Sequence, residues 1–223
     1  MLINEQDVLK RGAAIDTSTW SDALDELGVA GTVLDIPRQS GAGLAIGFAV
    51  TARALTGKLG DFKKSDFAVG QLIAATGPGK MLMVDMGGAR ISAMGGLAAL
   101  GASNQHATGI VIDGGCRDID EIRATQLWVS SRWVVPTTGK TRVKVLPLGG
   151  DIVVGGVCVS QGDLVAGDDT AIVVIPRAHV QAALVIAERI MAIDECVEAR
   201  IRAGESFGLA AATAGYIPAR DNR

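Results

Sequence analysis

A chain of 223 residues that is 48% hydrophobic and 20% charged can bury a sizeable core, so it is not a disordered chain, and it contains no apolar run of bilayer length. A net charge of −3 with scattered Lys and Arg excludes a nucleic-acid footprint, and the three dispersed cysteines, Cys116, Cys158 and Cys196, exclude a disulfide framework. Only two histidines are present, His106 and His179, without Cys/His ligand spacing. A zinc site built on His and Cys is therefore not expected, and a cation here would be held by carboxylates and water, which suits Mg²⁺ or Mn²⁺. With no charged-then-apolar leader, the chain reads as soluble and cytoplasmic.

Asn4 followed by Glu5, Gln6 and Asp7 predicts a helix start, with a capping side chain and then acids at the positive dipole end. In "TSTWSDALDELG" Thr19 and Asp22 form a capping-box pattern, and Gly28 ends the helix. "GFAVTARAL" alternates as a strand, and Ser65 caps a helix through "DFAVGQLIAA" up to the turn "TGPGK", Thr76 to Lys80. "MLMVDM" is a buried strand followed by Gly87 and Gly88, and "GGLAALGASNQHA" is a helix opened by Gly95 and Gly96. "GIVID" is a further strand, followed by Gly114 and Gly115. Strand, Gly-Gly, helix, repeated, is α/β patterning and favours parallel strands. "DIVVGGVCV" and "DLVAGDDTAIVVIP" read as an antiparallel β layer, with "GDD", Gly167 to Asp169, as a turn. The run from Arg177 to Gly204 is a long amphipathic helix with His179 on its surface, and its length directs part of it to a neighbouring subunit. The expectation is one layered α/β domain over residues 1–223.

Three stretches could carry chemistry. Arg117 and Asp118 follow the strand at 109–113. Adjacent helical residues do not face each other, so an ion pair between them is not expected. On one reading Asp118 is an N-cap completed by Glu121, with Arg117 solvated. On the other, the carboxyl end of the strand opens a crevice in which Arg117 forks onto a carboxylate and Asp118 holds a divalent cation. In "MGGLAALG" the N–H groups of Gly96, Leu97 and Ala98 lie unpaired at a positive helix end, either as an anion site or as a point of close helix–strand packing. No Lys-Ser/Thr follows, and the glycine spacing does not fit a dinucleotide fingerprint. Cys116 is either a thiol nucleophile, with His106 as the one nearby base in sequence, or a small buried residue.

Taken together, "VDMGG", "MGGLAALGASNQHATGIVIDGGCRDIDEI" and "GGVCVSQGDLVAGDDTAIVVIP" with the charged last helix resemble the RraA-like family from about Thr19 to Gly204. That family is named for a regulator of ribonuclease E activity and includes class II pyruvate aldolases. The resemblance implies an α-β-β-α swivelling-domain-like sandwich, trimers or hexamers with sites at subunit interfaces, and a small 2-oxo acid substrate. It implies that the segment Gly95, Gly96, Leu97 and Ala98 binds the pyruvate carboxylate and that Arg117 binds the pyruvyl group. Asp118 would bind Mg²⁺ or Mn²⁺, and Glu195 from a neighbour's last helix, with Asp194 close by, would support the water shell. Catalysis would rest on Arg117 and Asp118, in retro-aldol cleavage and in decarboxylation of oxaloacetate. The chain departs from the aldolase pattern at Gly96, where many members carry an acid. The competing expectation is a non-catalytic trimer that modulates a ribonuclease. The regulators lack the metal aspartate, and the presence of Asp118 favours the enzyme.

Overall fold

The computed structural model describes residues 3–216. Asn4 caps α1 (Glu5–Gly12) as expected, its side chain accepting the Asp7 amide at 3.3 Å. α2 (Thr17–Glu26) starts two residues before the predicted box. Asp16 is its cap and accepts the Thr19 amide at 2.7 Å, so Thr19 donates rather than caps; the helix stops at Leu27, and Gly28 follows at φ +67. The short strands β1 (Thr32–Val33) and β2 (Arg38–Ser40) lead into β3 (Ala45–Thr56), which contains the predicted alternating run.

The predicted helix through 66–75 is broken. A 3-10 turn, Lys64–Phe67, ends at Ala68 in a left-handed conformation, and α3 (Val69–Ala74) begins only after it. Ser65 lies inside that turn and is not a cap; the Asp66 carboxylate takes the Lys63 amide at 2.9 Å instead. β4 (Lys80–Asp85), β5 (Ser92–Met94), α4 (Gly96–Asn104) and β6 (Gly109–Cys116) follow. β6 runs straight through Gly114 and Gly115, where the sequence pattern predicts that the strand has already ended. A Cβ on Gly114 would come within 2.6 Å of Met86 Sδ, and one on Gly115 within 2.7 Å of Val135, so these glycines let neighbouring segments close onto the strand.

α5 (Ile119–Ala124), β7 (Val129–Val134) and β8 (Val143–Val145) precede a hairpin of β9 (Ile152–Val154) and β10 (Val157–Val159). Its two-residue turn is Gly155-Gly156, both at positive φ, as a hairpin twisted like its strands requires. β11 (Leu164–Gly167) and β12 (Ile172–Ile175) are antiparallel, and Asp168 in the turn between them accepts the amides of Thr170 and Ala171. After a 3-10 turn, Arg177–His179, come α6 (Val180–Arg202) and α7 (Phe207–Ala214). His179 sits at that turn, half-buried, and not on the exposed face of the helix.

The main path of the large sheet runs β1-β12-β11-β3-β4-β6-β7-β2, with β5 beside β6 and β8 beside β3. The β3-β4-β6-β7 block is parallel, as the repeated strand–helix pattern predicted. Alternation along the strands sorts the core. Leu82, Val84, Ile110 and Ile112 turn toward α3, α4 and α5, while Phe48, Leu164 and Ile175 turn toward α1, α2 and α6. Met81, Met83, Val111 and Val174 turn to the opposite face, which the β9–β10 hairpin covers. The layered α/β architecture is therefore present, in the order helices, sheet, hairpin.

The hairpin is docked by two carboxylates at directly paired positions of β4 and β6, Asp85 and Asp113. Asp85 accepts the Val153 amide at 3.3 Å and Asp113 the Gly155 amide at 2.8 Å; Asp113 also binds Arg132 Nε at 2.7 Å. No helix among the described residues is long and apolar enough to cross a membrane.

Candidate functional site

β5 pairs in parallel with the end of β6, with Met94 opposite Cys116, and the Arg117 amide donates to the Met94 carbonyl at 3.1 Å. This pairing brings the start of α4 against the residues leaving β6, although the two segments are far apart in sequence. Arg117 and Asp118 line one small cavity of about 170 Å³ together with Ser92, Met94, Gly95, Leu97, Ala98, Phe67, Val69 and Lys140. Gly96 lines an adjoining recess with Leu97, Leu100, Asp118 and Glu121.

Asp118 is the N-cap position of α5, but its backbone is left-handed (φ 53, ψ 51) and its side chain makes no cap bond to α5. The carboxylate reaches across to α4 and accepts the Gly96 amide at 3.3 Å. Because Asp118 is not helical, its carboxylate also lies 3.6 Å from Arg117 Nε, so the ion pair that helical geometry argued against is present. Neither a capping box with Glu121 nor a fully solvated Arg117 describes the arrangement. Both side chains are partly exposed, 36% for Arg117 and 42% for Asp118, and remain open to a ligand.

The start of α4 differs in detail from expectation. Ala98 is not free, because its amide donates to Gly95 O at 3.0 Å in a tight first turn, and Gly96 donates to Asp118. Among the described residues the Leu97 amide is the one of the three without a partner. Gly96 is required by closeness, since a Cβ there would meet Glu121 Cβ at 2.5 Å, whereas one on Gly95 would meet Asp118 Oδ2 at 2.3 Å and displace that carboxylate. The stem of Glu121 thus fills the place that an α4 side chain at 96 would need.

Cys116 is fully buried, with its Sγ 3.2 Å from Ser131 Oγ, and burial pushes its thiol pKa up, so the nucleophile reading falls. His106, just past α4 at φ 53, lines a larger recess of about 560 Å³ with Thr108, Gln126 and Trp128 at the opposite, amino-terminal ends of the strands. That recess is lined by no carboxylate among the described residues, and we place no chemistry there. Glu195 is exposed on α6, which packs on α1, α2 and α7 rather than on α4 or α5. Asp194 is turned inward, with Oδ1 buried and unpartnered; burial, then Asp16 and Asp22 facing it, raises its pKa. Among the described residues no group of three or more His, Cys, Asp or Glu could hold a metal ion, so a cation at Asp118 would rely on that carboxylate, at most one neighbour such as Glu121 in the adjoining recess, and water. That donor set fits Mg²⁺, which keeps most of its water and binds through one or two carboxylates.

Sequence reasoning missed Lys140, Phe67 and Ser92. Lys140 is carried by a loop that follows β7, and no local motif marks it.

Comparison with known proteins places this geometry in context. The family model described as "RraA-like: Aldolase/RraA" matches residues 17–174. A protein of Halalkalibacterium halodurans, provisionally named 4-hydroxy-4-methyl-2-oxoglutarate aldolase, is 28% identical over 88% of this chain and 90% of its own length. Other bacterial relatives carry the same provisional name over about half of this chain. An uncharacterized protein of Methanocaldococcus jannaschii is 30% identical over 66% of this chain, a match that spans 64% of that relative. Among solved structures, Streptomyces coelicolor RraAS2, titled an unusual member of the RNase ES inhibitor RraA protein family, superposes with a TM-score of 0.78 at 21% identity. The match covers 88% of this chain and 98% of that one, and at this identity it speaks to the fold alone.

Proposed function

The chain belongs to the RraA-like family, and on that premise we propose that it is a divalent-cation-dependent carbon–carbon lyase. It cleaves a 4-hydroxy-2-oxo acid in the retro-aldol sense to pyruvate and a second oxo compound, and it decarboxylates oxaloacetate through the same pyruvate enolate. The observation that supports this reading is the convergence of a guanidinium, a left-handed Asp carboxylate and a helix start on one small cavity.

Asp118, with water, would hold Mg²⁺ or Mn²⁺, and Glu195 of a neighbouring subunit would steady the water shell. When bound, the cation supplies Lewis-acid polarisation of the substrate's oxo group. Arg117 offers a planar fork to the substrate carboxylate, and the Leu97 amide adds a donor at the positive end of α4. Holding that carboxylate fixes the orientation of the bond to be broken, and charge moves toward donors already in place. Decarboxylation needs the same enolate but no removal of a hydroxyl proton, so it is the less demanding assay.

Protein loaded with Mg²⁺ or Mn²⁺ should release pyruvate from oxaloacetate. A chelator and Asp118→Ala should each abolish the release, and Arg117→Lys should lower kcat by roughly 10²–10³, the usual cost of losing one preorganised donor. Activity indifferent to the chelator and to Asp118→Ala would sink the metal assignment, whereas no pyruvate release under any metal loading would favour a non-catalytic, ribonuclease-binding trimer.

A further inference from the structure

The chain has seven lysines, and the fold gathers five of them, Lys58, Lys63, Lys64, Lys140 and Lys144, from two stretches far apart in sequence. Arg53 is the last residue of β3 paired with β4; beyond it β3 pairs with β8, and Leu55 stands opposite Lys144. The loop after β3 is hydrogen-bonded to the loop before β8. The Gly57 amide donates to Arg142 O at 2.8 Å, and the Gly60 and Phe62 amides both donate to Thr141 O at 3.2 Å. β8 in turn packs on the Lys64–Phe67 turn. Residues 53–67 and 139–145 thus share one region of the surface.

The positive charge there is uncompensated. Nine arginines form ion pairs, whereas among the described residues no lysine does. All five gathered lysines are exposed. The two acids of these segments are turned to backbone: Asp61 accepts the Lys58 amide at 2.6 Å and Asp66 the Lys63 amide at 2.9 Å. Asp85, paired in register with Arg53, lies 3.4 Å from its guanidinium. In a chain of net charge −3 this face is locally cationic, so an acidic partner is repelled elsewhere and drawn here.

Three leucines are exposed around these charges, Leu59 at 69%, Leu55 at 45% and Leu148 at 36%. The loop carrying Leu148 is held beside β3, the Leu146 amide donating to Arg53 O at 2.9 Å and the Gly149 amide to Thr51 O at 3.0 Å. Solubility accounts for the lysines but not for leucines set among them. The face is poorly suited to nucleic acid. Its two phenylalanines, Phe62 and Phe67, are half-buried and give no open ring for stacking a base. Its two arginines are engaged by the chain itself, Arg53 by Asp85 and the Asp151 carbonyl, Arg142 by the Thr138 carbonyl, so neither is a free fork for phosphate.

From this arrangement we infer that the face formed by the end of β3, the loop after it and β8 docks an acidic segment of another protein. Carboxylates of that segment meet Lys58, Lys63, Lys64 and Lys144, and its apolar side chains pack on Leu55 and Leu59. Lys140, at the edge of the face, also lines the cavity of Arg117 and is left out of the test. The inference does not depend on the lyase reading. Exposed charges add little each and are screened by salt, so the interaction is of modest affinity and strongly salt-dependent.

Fluorescence anisotropy of a labelled glutamate–leucine peptide, titrated with the full chain, tests the docking. The wild type should bind it, and affinity should fall steeply between about 0.1 and 1 M salt, as the screening length shrinks from about 10 Å to 3 Å. Changing Lys58, Lys63, Lys64 and Lys144 together to Gln should weaken binding roughly 10-fold or more and flatten the salt dependence, with the thermal unfolding transition retained. Lys10→Gln with Lys80→Gln, outside the face, should bind as the wild type does. Leu59→Ser should weaken binding without changing the salt dependence. No binding of the peptide by the wild type, or equal loss in the Lys10/Lys80 variant, would overturn the inference. A glutamate–serine peptide bound as tightly would remove the apolar contact. Tighter binding of oligouridylate, or capture by phosphatidylserine vesicles without peptide binding, would reassign the face to nucleic acid or to a membrane.

Discussion

At the scale of single residues the informative feature is the pair of glycines that opens α4. Local preference explains one glycine at a helix start, yet here each glycine answers a particular side chain of the segment after β6: Gly95 to Asp118 and Gly96 to Glu121. The absence of an acid at 96 is therefore a packing consequence, because the Glu121 stem already occupies that volume. Gly96→Asp should destabilise the protein by about 1–3 kcal/mol through overpacking, since the obstructing atom is a Cβ close to the backbone and not a flexible tip. Adding Glu121→Gly should make the double variant distinctly less unstable than the sum of the two single changes in urea unfolding. Simple additivity would show that the two positions do not compete. The motif was legible as Gly-Gly, Arg and Asp along the chain, but the reason for the second glycine was not, because the residue that requires it belongs to a different helix, α5, beyond an intervening strand.

At the scale of elements, α6 shows how one helix serves two sides. Arg11 of α1 forks onto Glu188 at 2.7 and 2.6 Å, and that partner holds the Glu188 carboxyl below its ordinary range. Further along the same helix, Asp194 faces α2 with a buried, unpartnered oxygen opposite Asp16 and Asp22, and its pKa is raised, first by burial. A carboxyl whose folded pKa lies above its unfolded value contributes fully only below the unfolded pKa, and that contribution is lost as pH rises through the folded pKa. Asp194→Asn should therefore raise the melting temperature at neutral pH, and the gain should shrink as pH falls into the carboxylate range. A gain that is the same at all pH values would mean that charge is not the cause. The amphipathic pattern of residues 177–204 was readable as a helix, whereas which of two adjacent acids turns inward depends on the angle at which α6 crosses α2.

At the scale of the molecule, the site is open on one side. Leu97 is 89% exposed and Leu100 50%, both beside Asp118 and Glu121, and an apolar lip of this kind next to charged groups suits coverage by another copy of the chain. A homotrimer in which α6 of one subunit delivers Glu195 to Asp118 of the next remains our proposal. It predicts that Asp118→Asn and Glu195→Gln proteins, each inactive or impaired alone, regain part of the activity when unfolded together and reassembled, because some interfaces then carry both native residues. No recovery in mixed oligomers of verified composition would place Glu195 outside the site. Composition and periodicity by themselves determined the α/β class, the parallel centre, the long last helix and the adjacency of Arg117 and Asp118 at a strand end, since those signals act over a few residues along the chain. Only the tertiary structure decided that residues 95–98 meet them, that Lys140 lines the same cavity, that Glu121 lies over Gly96 and that Asp194 faces inward. Strand order and register place those groups, and both are settled by the summed burial of the whole sheet rather than by any local stretch.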